Sequence, residues 1–349
     1  MKLLCLILSL TLVAVGCSKS SSSNGGAAAP ASESTKQQNV ATQGSDASAD
    51  LKLKTMTKVK IGVAQIVTQD FLPWYLAMEK GIFSKYNLEV SIESVEGGVV
   101  ALRGLQSGTF DLSAGLAEPV LTAVSKGADM KIIGTLSNQT LFKVFVSPDI
   151  QKVEDLKGKA AAVLQPGNGT DVQMRWWLKQ NGLQPDKDVR IISAGGNPAR
   201  LATMKSGQVQ VTVFGPPTYI EAEKAGLKPF AILRDELKSY NFDTIFTTGK
   251  VIREKPEVLK TFMAATAEAI QYTKDPKNLD EVVQIGVKSM KFDADVTKES
   301  LQFVIPSIPD KAKLNLEGIK FAIDASKEVG ILDGEVTVDK VVDESFYAK

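Results

Sequence analysis

The sequence predicts an α/β protein of two lobes, each a mostly parallel sheet flanked by helices. Three observations carry that expectation. Short β-like runs alternate with helical stretches from residue 57 to about 148, and the same grammar repeats from 149 to 241. Glycines stand where the intervening helices should stop. A series of long amphipathic stretches then follows, and these need an already formed surface to pack on. A length of 349 residues suits two domains, and 44% hydrophobic with 23% charged residues is ordinary globular composition.

The chain opens differently. Met1-Lys2 precedes a run from Leu3 to Val15 that is apolar apart from Ser9 and Thr11. This is shorter than the roughly 20 residues a membrane-spanning helix needs, so residues 1–16 read as a signal peptide. Its end, Ala14-Val15-Gly16-Cys17, resembles a bacterial lipoprotein signal, which implies a lipid on Cys17 that holds the protein in the cell envelope, facing the periplasm or the exterior. An ordinary secretory leader is the alternative. The segment 17–56 is rich in Ser, Ala, Gly, Gln and Asn through Asp50, too poor in apolar side chains to fold by itself. As a flexible tether, Ser18 to Met56 would reach roughly 35 Å.

Composition also removes several chemistries. The two cysteines are Cys5, inside the leader, and Cys17, so the body has no disulfide, thiolate nucleophile or cysteine-based metal site. Histidine is absent, and with it the commonest general base and metal ligand. No catalytic residue, metal or cofactor is therefore expected. Lys and Arg total 41 against 40 Asp and Glu, a balance of 40 to 40 once Lys2 leaves with the leader, and no basic cluster suggests nucleic acid.

In the first α/β unit, strands are expected at 59–63, 88–92, 110–114 and 130–136, with helices at 71–80, 99–106 and 119–125 closed by Gly81, Gly108 and Gly127. In the second, strands fall at 160–164, 189–193, 209–214 and 230–233, with helices at 171–180, 198–205 and 217–224 closed by Gly182, Gly207 and Gly226. Before 171–180, Thr170 with Gln173 three residues later reads as a capping box, and a helix that starts this way aims free N–H groups and its dipole at whatever lies in front. A strand at 244–248 and helices at 255–272, 279–290, 295–304 and 316–328 complete the chain. The first lobe is then 57–145 with 246–349, the second is 146–245, and 142–146 and 244–248 are the crossings about which they hinge.

Six motifs in order resemble one family. They are Pro73-Trp74-Tyr75-Leu76-Ala77-Met78-Glu79-Lys80-Gly81-Ile82-Phe83 and Tyr86-Asn87-Leu88-Glu89-Val90; Gly97-Gly98 with Ala101-Leu102; Leu105-Gln106-Ser107-Gly108-Thr109-Phe110-Asp111-Leu112; Asp155-Leu156-Lys157-Gly158-Lys159; Leu201-Ala202-Thr203-Met204-Lys205-Ser206-Gly207-Gln208-Val209-Gln210; and Lys255-Pro256-Glu257-Val258. The series is similar to the periplasmic binding proteins for nitrate, taurine, alkanesulfonates and thiamine-pyrimidine precursors. The resemblance implies a type II periplasmic binding protein fold, a small organic or oxyanionic ligand held between lobes, and delivery to an ABC permease with its ATPase by a monomeric receptor. A sensory receptor for a membrane partner is a second reading. An enzyme of the same fold is a third, disfavoured because the chain lacks the histidine and cysteine-rich motif of the pyrimidine-forming relatives.

Ligands of doubly wound sheets bind beyond the carboxyl ends of the strands. From the first lobe that places Gln65, Thr68, Phe71, Trp74, Gly97, Gly98, Ser113 and Glu118 among the candidates; from the second, Asn168, Gly169, Thr170, Asn197, Phe214 and Tyr219. Arg103, Arg175 and Arg200 are candidate partners for an anion, with a surface role as the default for each. Gly215 stands before a proline where several relatives carry an acid, which argues against a taurine-like ligand unless Glu118 or Asp70 supplies the carboxylate.

Overall fold

A computed structural model describes residues 51–64, 69–237 and 239–347. The expectations for the leader, Cys17, most of the tether, and Gln65 and Thr68 lie outside the described residues.

Ten strands form two five-stranded sheets. In chain order they are β1 (Thr57–Ala64), β2 (Leu88–Val95), β3 (Leu112–Gly115), β4 (Met130–Thr135), β5 (Lys143–Val146), β6 (Lys159–Val163), β7 (Val189–Ser193), β8 (Val211–Phe214), β9 (Lys228–Ile232) and β10 (Thr244–Thr248). The first sheet has the order β2-β1-β3-β10-β4 and the second β7-β6-β8-β5-β9. In the first, β1 runs parallel to β2 and β3 while β10 is antiparallel to β3 and β4. The second repeats this plan, with β6 parallel to β7 and β8 and β5 antiparallel to β8 and β9. Each sheet is thus mixed, and its one reversed strand is the strand beside a passage of the chain between the sheets.

The central strands are covered on both faces, which is why they read as unbroken apolar runs rather than alternating ones. Ala161, Ala162 and Val163 on β6 and Val211 and Val213 on β8 are fully buried. Helices Leu72–Glu79, Gly98–Gln106, Glu118–Ser125, Gly169–Gln180, Asn197–Lys205 and Thr218–Lys224 follow the strands, as parallel connections demand. Helix Pro256–Lys274 packs on Leu72–Glu79, where Trp74 Nε1 donates to Thr266 Oγ1 at 3.1 Å and Phe83 stacks on Phe262 at 5.4 Å between centroids.

The structure revises several expectations. Helix Gly169–Gln180 begins two residues early, capped by Asn168, whose side chain accepts from the Thr170 N–H at 3.1 Å. The Thr170–Gln173 capping box is absent: Thr170 Oγ1 accepts from the Leu164 N–H at 2.9 Å, and Gln173 Oε1 accepts from Thr140 Oγ1 at 2.6 Å. Asparagine is as good a cap as threonine, and starting at Asn168 frees Thr170 to satisfy the amide where β6 ends. Residues 51–56, expected in the tether, are partly docked. Leu51 and Leu53 pack on the core, Leu53 N–H donates to Tyr86 O at 3.3 Å, and Thr261 Oγ1 donates to Leu51 O at 2.7 Å. These two leucines supply the apolar area that the preceding stretch lacks.

The passages between sheets lie at 136–142 and 233–243, just ahead of the two reversed strands rather than within them. They are bonded to each other: Leu136 N–H donates to Asp243 O at 2.8 Å, and Phe242 N–H to Ser137 O at 2.8 Å. Phe142 meets Phe242 edge to face at 4.7 Å. Helix Ala294–Val304 touches both sides, since its Val296 and Phe303 join the apolar cluster built around Phe145, Phe214 and Tyr219 of the second sheet.

Candidate functional site

Strand ends from both sheets meet at a cavity of about 40 Å³ in front of the paired passages. The first sheet contributes Ala64, Gly115 and Leu116 after β1 and β3, and Gly98 at a helix start. The second contributes Leu164 after β6, Asn168 and Thr170 at the next helix start, and Asn197 and Arg200 from the helix after β7. Phe142, Phe242 and Asp243 of the passages form the remaining wall. Every contribution comes from the carboxyl end of a strand or from a passage, the place where open α/β sheets leave a crevice.

The Asn168 loop is held before anything binds. Asp171 accepts from the Gly167 N–H at 2.9 Å and pairs with Arg175 at 2.6 Å, and Arg175 also reaches Asp186 at 2.5 Å. Donors fixed in this way lose little freedom when a ligand arrives. Gly97 adopts φ +86°, and a Cβ there would lie 3.2 Å from Gln165 Oε1, so the glycine lets the first-sheet loop approach the second.

Carboxyl groups gather on the first-sheet side. Glu118 and Asp70 are fully buried and Asp243 is 5% exposed. The Tyr240 hydroxyl donates to Glu118 Oε1. Burial pushes the Glu118 carboxyl up to about 7 despite that donor, because removing a charge from water outweighs one hydrogen bond. Asp243 is pushed well above the ordinary carboxylate range, first by burial and then by the neighbouring Asp70 and Glu118. Tyr240 is also pushed up, by burial and by Glu118.

Arg200 lines the cavity from the second sheet, fully buried, and burial brings its guanidinium down to about 9. Its Nη1 donates to Gly195 O at 2.8 Å and its Nη2 to Asn197 Oδ1 and to Val213 O at 3.2 Å. Nε is buried with no partner.

Of the residues expected at the site, the structure brings Gly98, Asn168, Thr170 and Asn197 to the cavity wall. Gly169 and Glu118 are adjacent just behind it. Ser113 is turned inward and donates to Gly62 O at 2.5 Å. Phe71 and Trp74 stack on each other at 5.8 Å inside the core around helix Pro256–Lys274. Phe214 packs on Phe145, and Tyr219 packs on Phe303 beneath the Lys143 ammonium, 3.8 Å from the ring centroid. These four aromatic residues do not line the cavity. Among the three arginines, Arg103 is exposed, Arg175 is paired with two aspartates, and Arg200 lines the cavity.

The sequence reading missed Asp243, Phe142 and Phe242 as wall residues. They sit in passages that carry no turn or helix-start signal, so only the closeness of 136–142 to 233–243 identifies them. A Cβ at Gly215 would make only ordinary contact with the Phe142 ring, at 3.4 Å, so packing does not explain the glycine there.

Comparison with known proteins agrees with this architecture. The family described as NMT1/THI5 like matches residues 68–279. The nitrate/nitrite binding protein NrtA of Synechococcus elongatus is 27% identical over 265 residues, covering 66% of this chain and 58% of that protein. The putative binding protein YtlA of Bacillus subtilis is 22% identical over 256 residues, covering 71% and 76%. The chain spans less than three-fifths of the nitrate/nitrite-binding relatives from Synechococcus and Nostoc, 58% and 57% of their lengths. Among solved structures, the periplasmic nitrate-binding protein NrtA of Synechocystis superposes with a TM-score of 0.72 at 19% identity, covering 84% of this chain and 88% of that one. The alkanesulfonate-binding protein SsuA of Xanthomonas axonopodis, bound to MOPS, gives 0.71 at 18% identity and covers 84% and 100%. At these identities the likeness shows the fold, two sheets flanked by helices as in periplasmic binding proteins.

Proposed function

We propose a function from one premise: the chain belongs to the NMT1/THI5-like family. It acts outside the cytoplasm as a solute receptor that captures a small organic or oxyanionic ligand between its two sheets and delivers it to an ABC permease with its ATPase. The observation that carries this reading is the cavity itself, walled by strand ends of both sheets and by the paired passages 136–142 and 233–243. A ligand there touches both halves, so a closed arrangement binds it better than an open one, which is what a receptor needs to report occupancy. The relatives support the partner: one is a nitrate/nitrite binding protein, and others are named bicarbonate transport and nitrate import ATP-binding proteins.

The two lobes of this reading are 57–145 with 246–349, and 146–245. Lipidation at Cys17 would hold a monomeric receptor at the membrane surface. None of the helices among the described residues is long and apolar enough to cross a membrane, so attachment through a lipid suits the body. A thermal-shift screen over nitrate, bicarbonate, sulfonates, aromatic acids and vitamin precursors tests the receptor role, because a ligand that binds only the native state raises its melting temperature by mass action. Stabilisation by one class is expected; a protein indifferent to all of them would contradict the reading.

A further inference from the structure

We propose that Glu118 is a proton-operated latch between the two halves of the molecule: protonated, it lets the Gly169 helix start close over it, and ionised, it drives the halves apart. This goes beyond the solute-receptor reading and rests on one part of it, that the halves open and close about the passages 136–142 and 233–243.

The contact itself carries the proposal. Glu118 begins a helix on the first-sheet side, and Gly169 begins one that follows β6 of the second sheet. They meet so closely that a Cβ on Gly169 would lie 2.5 Å from Glu118 Oε2, and the Glu118 side chain is fully buried. A helix start ordinarily favours an anion, but the Thr170 and Asp171 N–H groups both turn to Asn168, at 3.1 Å to its Oδ1 and 2.8 Å to its O. The junction therefore suits a neutral acid better than a carboxylate. Opening withdraws Gly169 and brings water to the carboxyl, so opening and ionisation favour each other.

The titratable neighbours are acids. Tyr240 donates to Glu118 Oε1 from one passage, Asp243 lies close by in the same passage, and Asp70 is hydrogen-bonded with Asp243. Asp171 of the closing helix accepts from the Gly167 N–H and pairs with Arg175. The cations of the surrounding elements are engaged elsewhere or exposed. Arg200 is bonded to Gly195, Asn197 and Val213, Arg175 also reaches Asp186, and Arg103, Lys126 and Lys320 are exposed. Burial pushes the Glu118 carboxyl from 4.5 to about 7, against the Tyr240 hydroxyl and its own backbone N–H. Water at the carboxyl in the open form returns it toward 4.5. The closed form is thus favoured most below 4.5, and that advantage falls by up to about tenfold per pH unit until it is lost through 7.

Two further contacts cross the same junction and report on it. Trp176 of helix Gly169–Gln180 meets Phe321 of helix Leu316–Glu328 edge to face at 5.6 Å, and Lys179 Nζ donates to Glu328 O. Trp74 and Trp177 are fully buried, so the half-buried Trp176 is the indole a quencher reaches.

The test is acrylamide quenching of the full chain with no ligand added, corrected by the signal of Trp176→Phe, between about pH 5 and about pH 8.5. The Trp176 quenching constant should rise about twofold or more toward the upper pH. Glu118→Gln keeps an oxygen for Tyr240 but cannot ionise, and should hold the low value throughout. Tyr240→Phe removes a donor that favours the ionised form, and should move the midpoint to higher pH. A Trp176 signal that is the same at both ends, or that rises equally in Glu118→Gln, would overturn the proposal. If circular dichroism shows Glu118→Gln to be unfolded, Tyr240→Phe decides, and a midpoint that does not rise overturns it. With no ligand present, any of these failures leaves the receptor role to the thermal-shift screen.

Discussion

A Cβ placed on Gly169 would stand 2.5 Å from Glu118 Oε2 and 2.6 Å from a Leu116 methyl. The first residue of a second-sheet helix and a buried carboxyl of the first-sheet side are therefore in contact, and glycine is what permits that contact. Gly169→Ala is expected to push the two sides apart, lower stability by about 1–3 kcal/mol through overpacking, and weaken ligand binding more than stability. Denaturant midpoints and calorimetry on the same variant check this, and an unchanged Kd would separate the contact from the site.

The raised carboxyls fix the sign of the pH response of the free protein. Glu118 ordinarily titrates at 4.5 and is pushed to about 7 in the fold. Between those values Glu118 holds more protons in the folded chain than in the unfolded one, so its contribution to stability is full below 4.5 and is lost as pH rises through 7. Glu118 alone contributes on the order of 3 kcal/mol to that loss, and Asp243 acts in the same direction. Urea midpoints at about pH 5 and about pH 8 measure it. Higher stability at the upper pH would contradict the burial of these acids.

Much of this arrangement was legible in the sequence. Strands β7 and β10 and the helices Leu279–Met290 and Leu316–Glu328 lie where the hydrophobic patterning places them, because each is a local pattern. The short helices Ile82–Lys85, Leu233–Glu236 and Gly249–Glu254 were not legible, being too brief to show a period. The site was half legible. Gly98, Asn168, Thr170 and Asn197 follow strands and open helices, which is a local signal. Asp243 reaches the same cavity only because two passages pair far apart in sequence, and Arg200 differs from Arg103 and Arg175 only by burial.

Trp74 was a candidate ligand wall by its place near the expected cleft, but its indole is bonded to Thr266 and packed on Phe71 and Phe262. Trp74→Ala should therefore cost about 3–5 kcal/mol of stability. Trp74→Phe, which keeps most of the packing, should leave ligand affinity within about twofold when the variant is assayed in its folded range. A large loss of affinity in Trp74→Phe would return the indole to the site.

The anchor is tested apart from the body. Changing Cys17→Ser should release the protein from membranes in a fractionation experiment, and unaltered membrane association would remove the lipid from the account.

The central claim is that a solute is held between the two sheets, against the paired passages. A crystal structure of the complex with the first compound that stabilises the protein tests this most directly. The account predicts ligand density bounded by Asn168, Asn197, Arg200 and Asp243 together, in contact with both sheets. Density confined to one sheet, or in the surface groove beside Lys85 and Glu268, would contradict it.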